Sequence, residues 1–176
     1  FLPSVAHELS PAFPARAAGI RVPAITLFLF GGVSEMAEEP KNPMTELRIA
    51  IAGPLASFAL AGAFWGLHVA LEPVASPLVA GVAQYLTWIN AALGVFNLLP
   101  GMPLDGGRIL RALAWWKTGS LRRASRVAAS AGKGIAVGLM VLGGLQIFGG
   151  ALVGGLWLGL IGLFLRGTAE AGYQTL

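Results

Sequence analysis

Four long apolar runs dominate this sequence and constrain what it can fold into. They cover about residues 47–71, 78–99, 127–148 and 151–165. Each approaches or exceeds the roughly 20 residues that a helix needs to cross the hydrocarbon core of a bilayer. Gly53-Pro54 is predicted to interrupt the first run, and the glycines of the last two runs are predicted to let helices pack closely. Charged residues make up 11% of the 176 residues, where a soluble domain has roughly a quarter. The sequence therefore predicts an all-α polytopic membrane protein, a transmembrane helix bundle.

The basic residues mark the topology of this bundle and do not form a nucleic-acid surface, although the net charge is +4. They are concentrated in or beside two connections between the spans: Arg16, Arg21, Lys41 and Arg48 near the first, and Arg108, Arg111, Lys117, Arg122, Arg123 and Arg126 in the third. Residues 108–126 predict one basic amphipathic segment, a helix at the membrane interface. The positive-inside rule puts these two connections and the C-terminus in the cytoplasm. We expect a multi-pass protein of a prokaryotic cell membrane that contacts the lipid bilayer and binds no nucleic acid.

Two apolar segments near the start of the chain are too short to cross a bilayer. Residues 1–13 contain Pro3 and Pro11 and are typical of the end of a kinked helix; because the chain opens inside this segment without a Met, we expect an upstream helix to be missing. Residues 23–33 are rich in β-branched and aromatic residues and end at Gly31-Gly32. They predict a small membrane-associated β-hairpin or sheet after the first helix, within a single domain over residues 1–176.

His7 and Glu8 form an ionisable pair inside the first apolar segment. About nine residues separate them from Arg16, which corresponds to about 14 Å of helix below the cytoplasmic boundary. Ionisable groups at such depth are expensive and generally mark function. The pair predicts a metal ligand followed by a general base, with a hydrogen-bonded polar pair at a helix contact as the alternative.

Asp105 and Asn97 flank a proline-broken helix end further along the chain. Asp105 follows Pro103, where unwound backbone at membrane depth normally lines a cavity, so it is a second candidate ligand; a helix N-cap is the alternative. Asn97 can donate a hydrogen bond to a substrate carbonyl or, alternatively, to carbonyls freed by Pro100. The chain has no cysteine, so nitrogen and oxygen atoms must hold any metal.

Several short motifs occur in an order that resembles one family. Residues 7–11 read His-Glu-Leu-Ser-Pro, residues 97–100 Asn-Leu-Leu-Pro and residues 104–106 Leu-Asp-Gly. Between them stand residues 27–33, Leu-Phe-Leu-Phe-Gly-Gly-Val, and residues 52–55, Ala-Gly-Pro-Leu. The series resembles the site-2 protease family of zinc intramembrane metalloproteases, whose signatures are H-E-x-x-H, N-x-x-P and L-D-G.

The resemblance implies a role for each motif residue. His7 and Asp105 would bind one zinc ion per chain, and Glu8 would activate the zinc-bound water that attacks a peptide bond. The second His of H-E-x-x-H is replaced by Pro11, which cannot ligate a metal. Three explanations stay open: the chain is proteolytically inactive, position 11 is substituted, or another ligand is recruited.

The resemblance also implies a substrate. In the family, the segment that corresponds to residues 25–32 forms a sheet edge that holds the substrate as an added strand, so Leu27, Leu29, Gly31 and Gly32 join Asn97 as substrate-binding candidates. The partner would be a single-pass transmembrane protein; homo-oligomerisation is left open. The competing functions are a protease-like scaffold that binds transmembrane segments without cutting them, and a small transporter.

Overall fold

A computed structural model describes residues 9–17, 24–28, 31–35 and 40–174 of the chain. The elements are α1 (Ala12–Ala17), β1 (Ala24–Phe28), β2 (Gly31–Glu35), α2 (Pro43–Leu71), α3 (Pro77–Asn97), α4 (Asp105–Thr118), α5 (Leu121–Phe148) and α6 (Leu152–Gln174). They divide between two compact units, Phe1–Leu98 and Leu99–Leu176.

In the first unit, the short helix α1 begins directly after Pro11. Ser10 and Pro11 form a turn, and the carbonyl of Pro11 accepts a hydrogen bond from the amide of Ala15 at 3.2 Å. Pro14 falls within the first turn of α1, where its missing N–H would have no helical partner in any case. The break at Ser10-Pro11 agrees with the expected kink.

The strands β1 and β2 pair antiparallel, with Leu27 opposite Gly32 and Phe28 opposite Gly31. β1 lies within residues 23–33, for which a hairpin or sheet is predicted, whereas β2 begins in that segment and ends two residues beyond it. Among the described residues, this sheet has two strands. Each strand therefore has one edge that pairs with no other described strand.

Helix α2 is longer at its start than the sequence predicts, and it is not interrupted. It begins at Pro43, because the Asn42 side chain caps it by accepting a 2.8 Å hydrogen bond from the amide of Thr45 and because proline suits the first helical position. The predicted break at Gly53-Pro54 is wrong: both residues are buried inside a continuous helix. A proline inside a helix removes one hydrogen bond, and packing against neighbouring elements can compensate for that loss.

The contact between α2 and α3 is built from small and polar side chains. The buried residues of α3 are Ala80, Ala83, Asn90 and Gly94. A Cβ added at Gly94 would lie 3.0 Å from the Phe58 ring of α2, so the absence of a side chain lets the helices approach closely. This kind of packing is typical of membrane helices, which gain little from the hydrophobic effect in lipid.

In the second unit, the basic stretch after Asp105 is divided between two helices. Helix α4 ends at Gly119, whose φ of 64° is left-handed, a conformation that glycine adopts without strain. Helix α5 then begins at Leu121, six residues earlier than the predicted span. The interpretation of residues 108–126 as one amphipathic segment is therefore wrong.

Glycines also bring α5 and α6 together. A Cβ at Gly143 of α5 would lie 2.5 Å from the carbonyl oxygen of Gly155 in α6. A Cβ at Gly162 of α6 would lie 2.7 Å from the carbonyl oxygen of Ala136. The sequence interpretation of these glycines as helix-packing positions is confirmed.

Within the described residues, three helices are long and apolar enough to cross a membrane: α2, α3 and α5. The apolar part of α6 is shorter, Leu152–Thr168. Large apolar side chains are widely exposed within the helices, with Trp88 at 69% and Leu145 at 62%; extended apolar surfaces of this kind favour a non-aqueous neighbour. The protein is thus a predominantly helical, multi-pass membrane protein, as predicted.

Candidate functional site

Two of the predicted site residues, His7 and Glu8, lie outside the described residues. The structure does describe Pro11, which occupies the position of the family's second histidine. Pro11 is buried, and its carbonyl oxygen is engaged by the Ala15 amide. A proline side chain has no nitrogen or oxygen donor, so this position offers nothing to a metal.

Asp105 is the first residue of α4, and the N-cap position belongs to Leu104. The alternative of Asp105 as an N-cap is therefore off by one residue. An acidic side chain in the first turn is stabilised by the partial positive charge of the helix N-terminus. Asp105 is half-buried and belongs to the second unit.

The loop before Asp105 is held by a short series of backbone hydrogen bonds. The Leu104 amide donates to the Gly101 carbonyl at 3.0 Å, and the Leu104 carbonyl accepts from the amides of Gly107 at 2.9 Å and Arg108 at 3.2 Å. The Met102 amide donates to the Ala128 carbonyl of α5 at 3.2 Å. The backbone on both sides of Asp105 is therefore fixed.

Asn97 is the last residue of α3. Its Nδ2 atom donates to the carbonyl of Leu93 at 3.1 Å, one turn back in the same helix. This bond resembles the predicted alternative, although the acceptor is not one of the carbonyls freed by Pro100. A primary amide has two N–H groups, so one donor is still available to another ligand.

Of the predicted substrate-binding residues in the hairpin, Leu27 lies in β1 and Gly31 and Gly32 lie in β2. The structure pairs Leu27 with Gly32. Leu29 lies outside the described residues. The strands thus bring three of the four candidates together at the end of the sheet where Phe28 pairs with Gly31.

His68, the second histidine of the chain, has a structural contact. Its Nδ1 atom lies 2.9 Å from the carbonyl oxygen of Ala80, so Nδ1–H donates to that oxygen. The bond links the last turns of α2 to the first turns of α3. His68 is therefore a helix-packing residue.

Two buried polar residues are missed by the sequence interpretation. Glu46 is fully buried in the first turns of α2, and Asn90 is fully buried in the middle of α3. Asn90 Nδ2 donates to the Leu86 carbonyl at 2.7 Å. A polar residue in an apolar span is itself a signal, and the Asn42-Pro43 helix start would have moved Glu46 from a loop into α2.

The metal-binding potential of the chain falls short of the family pattern. Across residues 9–17 and 40–168, no three His, Cys, Asp or Glu side chains form a group that could hold a metal ion. His7 and Asp105 are donor types that zinc accepts, but zinc sites that hydrolyse peptides normally have three protein ligands. Because Pro11 contributes none, His7 and Asp105 would leave such a site one ligand short of three.

Known proteins with sequences similar to this chain are described as zinc metalloproteases. The model of peptidase family M50 matches residues 1–141. A protein of Mycobacterium tuberculosis named "Putative zinc metalloprotease Rip3" is 47% identical over 94% of this chain and 42% of its own length. A zinc metalloprotease of Methanocaldococcus jannaschii is 36% identical over 81% of this chain and 41% of its own length.

A solved structure resembles the computed structural model over nearly the whole chain. The site-2 protease from Methanocaldococcus jannaschii matches with a TM-score of 0.76 and 33% identity, covering 98% of this chain and 74% of that one. The curated relatives are longer: this chain spans less than half of their length.

Proposed function

Because the chain belongs to peptidase family M50, the site-2 protease family, we propose that it is the membrane core of an intramembrane zinc metalloprotease. Its substrates are the transmembrane segments of single-pass membrane proteins. Both compact units serve this one domain, which is supported by a family match that runs across the boundary between them. The observation that carries the proposal is the ordered pair of signatures, His7-Glu8 and Leu104-Asp105-Gly106.

The position of the signatures in the sequence supports an active site nearer the cytoplasmic side of a prokaryotic cell membrane. The His7-Glu8 signature precedes the basic residues Arg16 and Arg21, and Asp105 stands three residues before Arg108. Basic residues favour the cytoplasmic side of a membrane, so we place the active site nearer that side.

Each site residue has a role in the proposed chemistry. His7 and Asp105 would hold a zinc ion, which would supply Lewis acidity at the peptide carbonyl when bound. Glu8 takes a proton from the attacking water and returns it to the amide nitrogen as the C–N bond breaks. Asn97 donates its second N–H to the substrate carbonyl. With Pro11 in place the ligand set is short by one, so we expect this chain to cut poorly or not at all.

The hairpin is the proposed substrate platform. A transmembrane helix has all of its backbone groups bonded internally, so it must unwind before a peptide bond can be cut. A membrane-associated strand with an open edge supplies replacement hydrogen bonds for the unwound segment. Leu27, Gly31 and Gly32 lie in the strands of this hairpin, and the family resemblance adds Leu29 to the proposed platform.

Cleavage of a tagged single-pass reporter, co-expressed with Pro11→His protein, tests the proposal. We expect a shorter reporter fragment with Pro11→His, and none when Glu8→Gln is added at an equal protein level. A fragment that persists with Glu8→Gln would remove Glu8 from the role of base. No fragment from a panel of reporters with Gly- or Pro-interrupted segments would argue against proteolysis.

The second candidate function is capture of transmembrane segments without cleavage. Pro11 favours it, because the residue removes a metal ligand while it is itself buried and its carbonyl still accepts the Ala15 amide at the start of α1. In that case the unaltered chain should co-purify with the same reporters. Glu8→Gln should leave this capture unchanged.

A further inference from the structure

The loop that leads to Asp105 is held between two helices at points where both lack side chains. The backbone at Gly101 and Met102 lies against Gly107 of α4 on one side and Gly132 of α5 on the other. All of these residues lie in the second unit. Asp105 itself stands three residues after Met102 and two before Gly107.

On the α5 side, the contact is backbone against backbone. A Cβ added at Gly132 would collide with the carbonyl oxygen of Met102 and would lie 2.9 Å from its amide nitrogen. The Met102 amide also donates to the carbonyl of Ala128, one turn earlier in α5. Because no flexible side chain takes part in these contacts, a Cβ could be accommodated only if the loop backbone moved.

On the α4 side, the same loop closes on the helix that carries Asp105. A Cβ at Gly107 would collide with the carbonyl carbon and oxygen of Gly101 and with the Met102 amide nitrogen. A Cβ at Gly101 would lie 2.5 Å from Cα of Gly132. The first turn of α4, the loop and α5 are thus in direct backbone contact.

From this arrangement we infer that Gly132 and Gly107 are positioning residues for Asp105: they fix its distance from α5 and so the place where its carboxylate is presented. The inference rests on the proposed function, in which Asp105 is a zinc ligand. It assigns α5, which carries none of the signature residues, a part in building the metal site. Residues that hold a metal ligand in place typically change metal affinity by 10- to 100-fold when they are altered.

The alanine variants of three glycines in α5 separate this role from general packing. Gly132→Ala is the test. Gly134→Ala is the open-space control, because nothing lies within 4 Å of its added Cβ. Gly143→Ala is the crowded control, because its Cβ would lie 2.5 Å from the Gly155 carbonyl of α6, away from the loop.

The first readout needs no metal. The chain has no cysteine, so Asp105→Cys and Thr118→Cys each introduce a single thiol, at opposite ends of α4. We expect Gly132→Ala to change the maleimide labelling rate several-fold at position 105 and not at 118, while both controls leave the two rates unchanged. Equal rates for Gly132→Ala and Gly134→Ala at position 105, or parallel changes at both ends of α4, would overturn the inference.

The second readout is zinc affinity in the Pro11→His background. Gly132→Ala should weaken zinc binding by about 10- to 100-fold per folded molecule, and Gly143→Ala should not. If all variants bind zinc equally, the inference is wrong and the proposed function stands. If Pro11→His binds no zinc while labelling at position 105 still responds only to Gly132→Ala, the proposed function fails and the positional inference stands. Should Gly132→Ala not fold, Gly101→Ala perturbs the same contact and takes its place.

Discussion

At the scale of single residues, His68 shows how a histidine in a membrane helix can serve packing. Its Nδ1–H donates to the Ala80 carbonyl at 2.9 Å, across the contact between α2 and α3. Hydrogen bonds between membrane helices contribute about 0.6 kcal/mol on average and up to about 1.7 kcal/mol. We expect His68→Ala to lower the free energy of unfolding in detergent by such an amount.

The matched control for this prediction is Gln84→Ala, an exposed position on α3, which should leave stability unchanged. Zinc content in the Pro11→His background provides a second check. His68→Ala should not alter it, because His68 is assigned no part in the metal site. A loss of zinc with His68→Ala would contradict the structural role.

The sequence singles out residues that stand in short motifs, because such motifs depend only on neighbouring positions. Asp105 follows Leu-Pro-Gly-Met-Pro-Leu, and its motif and position after prolines make it a candidate ligand without coordinates. Glu46 and Asn90 are fully buried, but their burial depends on which helices pack against them. For Gly132, the sequence predicts only a role in helix packing. Its contact with Met102 joins residues that are distant in the sequence, so the sequence alone does not indicate it.

At the scale of elements, the packing of α2 against α3 depends on the lack of a side chain at Gly94. A Cβ there would lie between 3.0 and 3.2 Å from three atoms of the Phe58 ring, so the ring or the helix must shift. Overpacking of this kind costs about 1–3 kcal/mol. We expect Gly94→Ala to lower thermal stability in detergent.

Gly81→Ala, in the same helix, is the control for this prediction, because no atom lies within 4 Å of its added Cβ. It should be neutral or gain up to about 1 kcal/mol from the higher helix propensity of alanine. Unfolding midpoints of the two variants are compared under the same conditions. Equal stability of the two variants would mean that α2 and α3 do not pack as described.

The sequence predicts the helices well where a long apolar run marks them. It predicts breaks and helix ends poorly where packing against other elements decides them. The apolar runs located α2, α3 and α5, because lipid exposure requires apolar length. The sequence predicts a break at Gly53-Pro54, yet the helix continues through both residues, because packing around them outweighs their low helix propensity. The division between α4 and α5 at Gly119 requires a left-handed residue, which the turn Thr118-Gly119-Ser120 does signal.

At the scale of the whole molecule, the distribution of basic residues predicts which connections face the cytoplasm. Single cysteines can test this prediction because the chain has none of its own. We expect a membrane-impermeant maleimide to label Val74→Cys and Ala151→Cys on intact cells. Thr118→Cys, beside Lys117, should be labelled only after the cells are permeabilised.

Labelling of Thr118→Cys on intact cells at the rate of Val74→Cys would contradict this topology. It would also place the Asp105 end of α4 below the opposite face of the membrane. Labelling of Ala151→Cys only after permeabilisation would be a different result: it would mean that α5 does not cross. The prediction thus tests the crossings one by one.

We propose that His7 and Asp105 belong to the zinc site of the family and that Pro11 has removed one of its ligands. Metal analysis by mass spectrometry of the detergent-purified chain, of Pro11→His and of Pro11→His with Asp105→Ala tests this proposal. We predict about one zinc per chain for Pro11→His and well below that for the other two proteins, because metal affinity depends on the complete ligand set. No zinc in Pro11→His, or a full equivalent in the unaltered chain, would contradict the proposal.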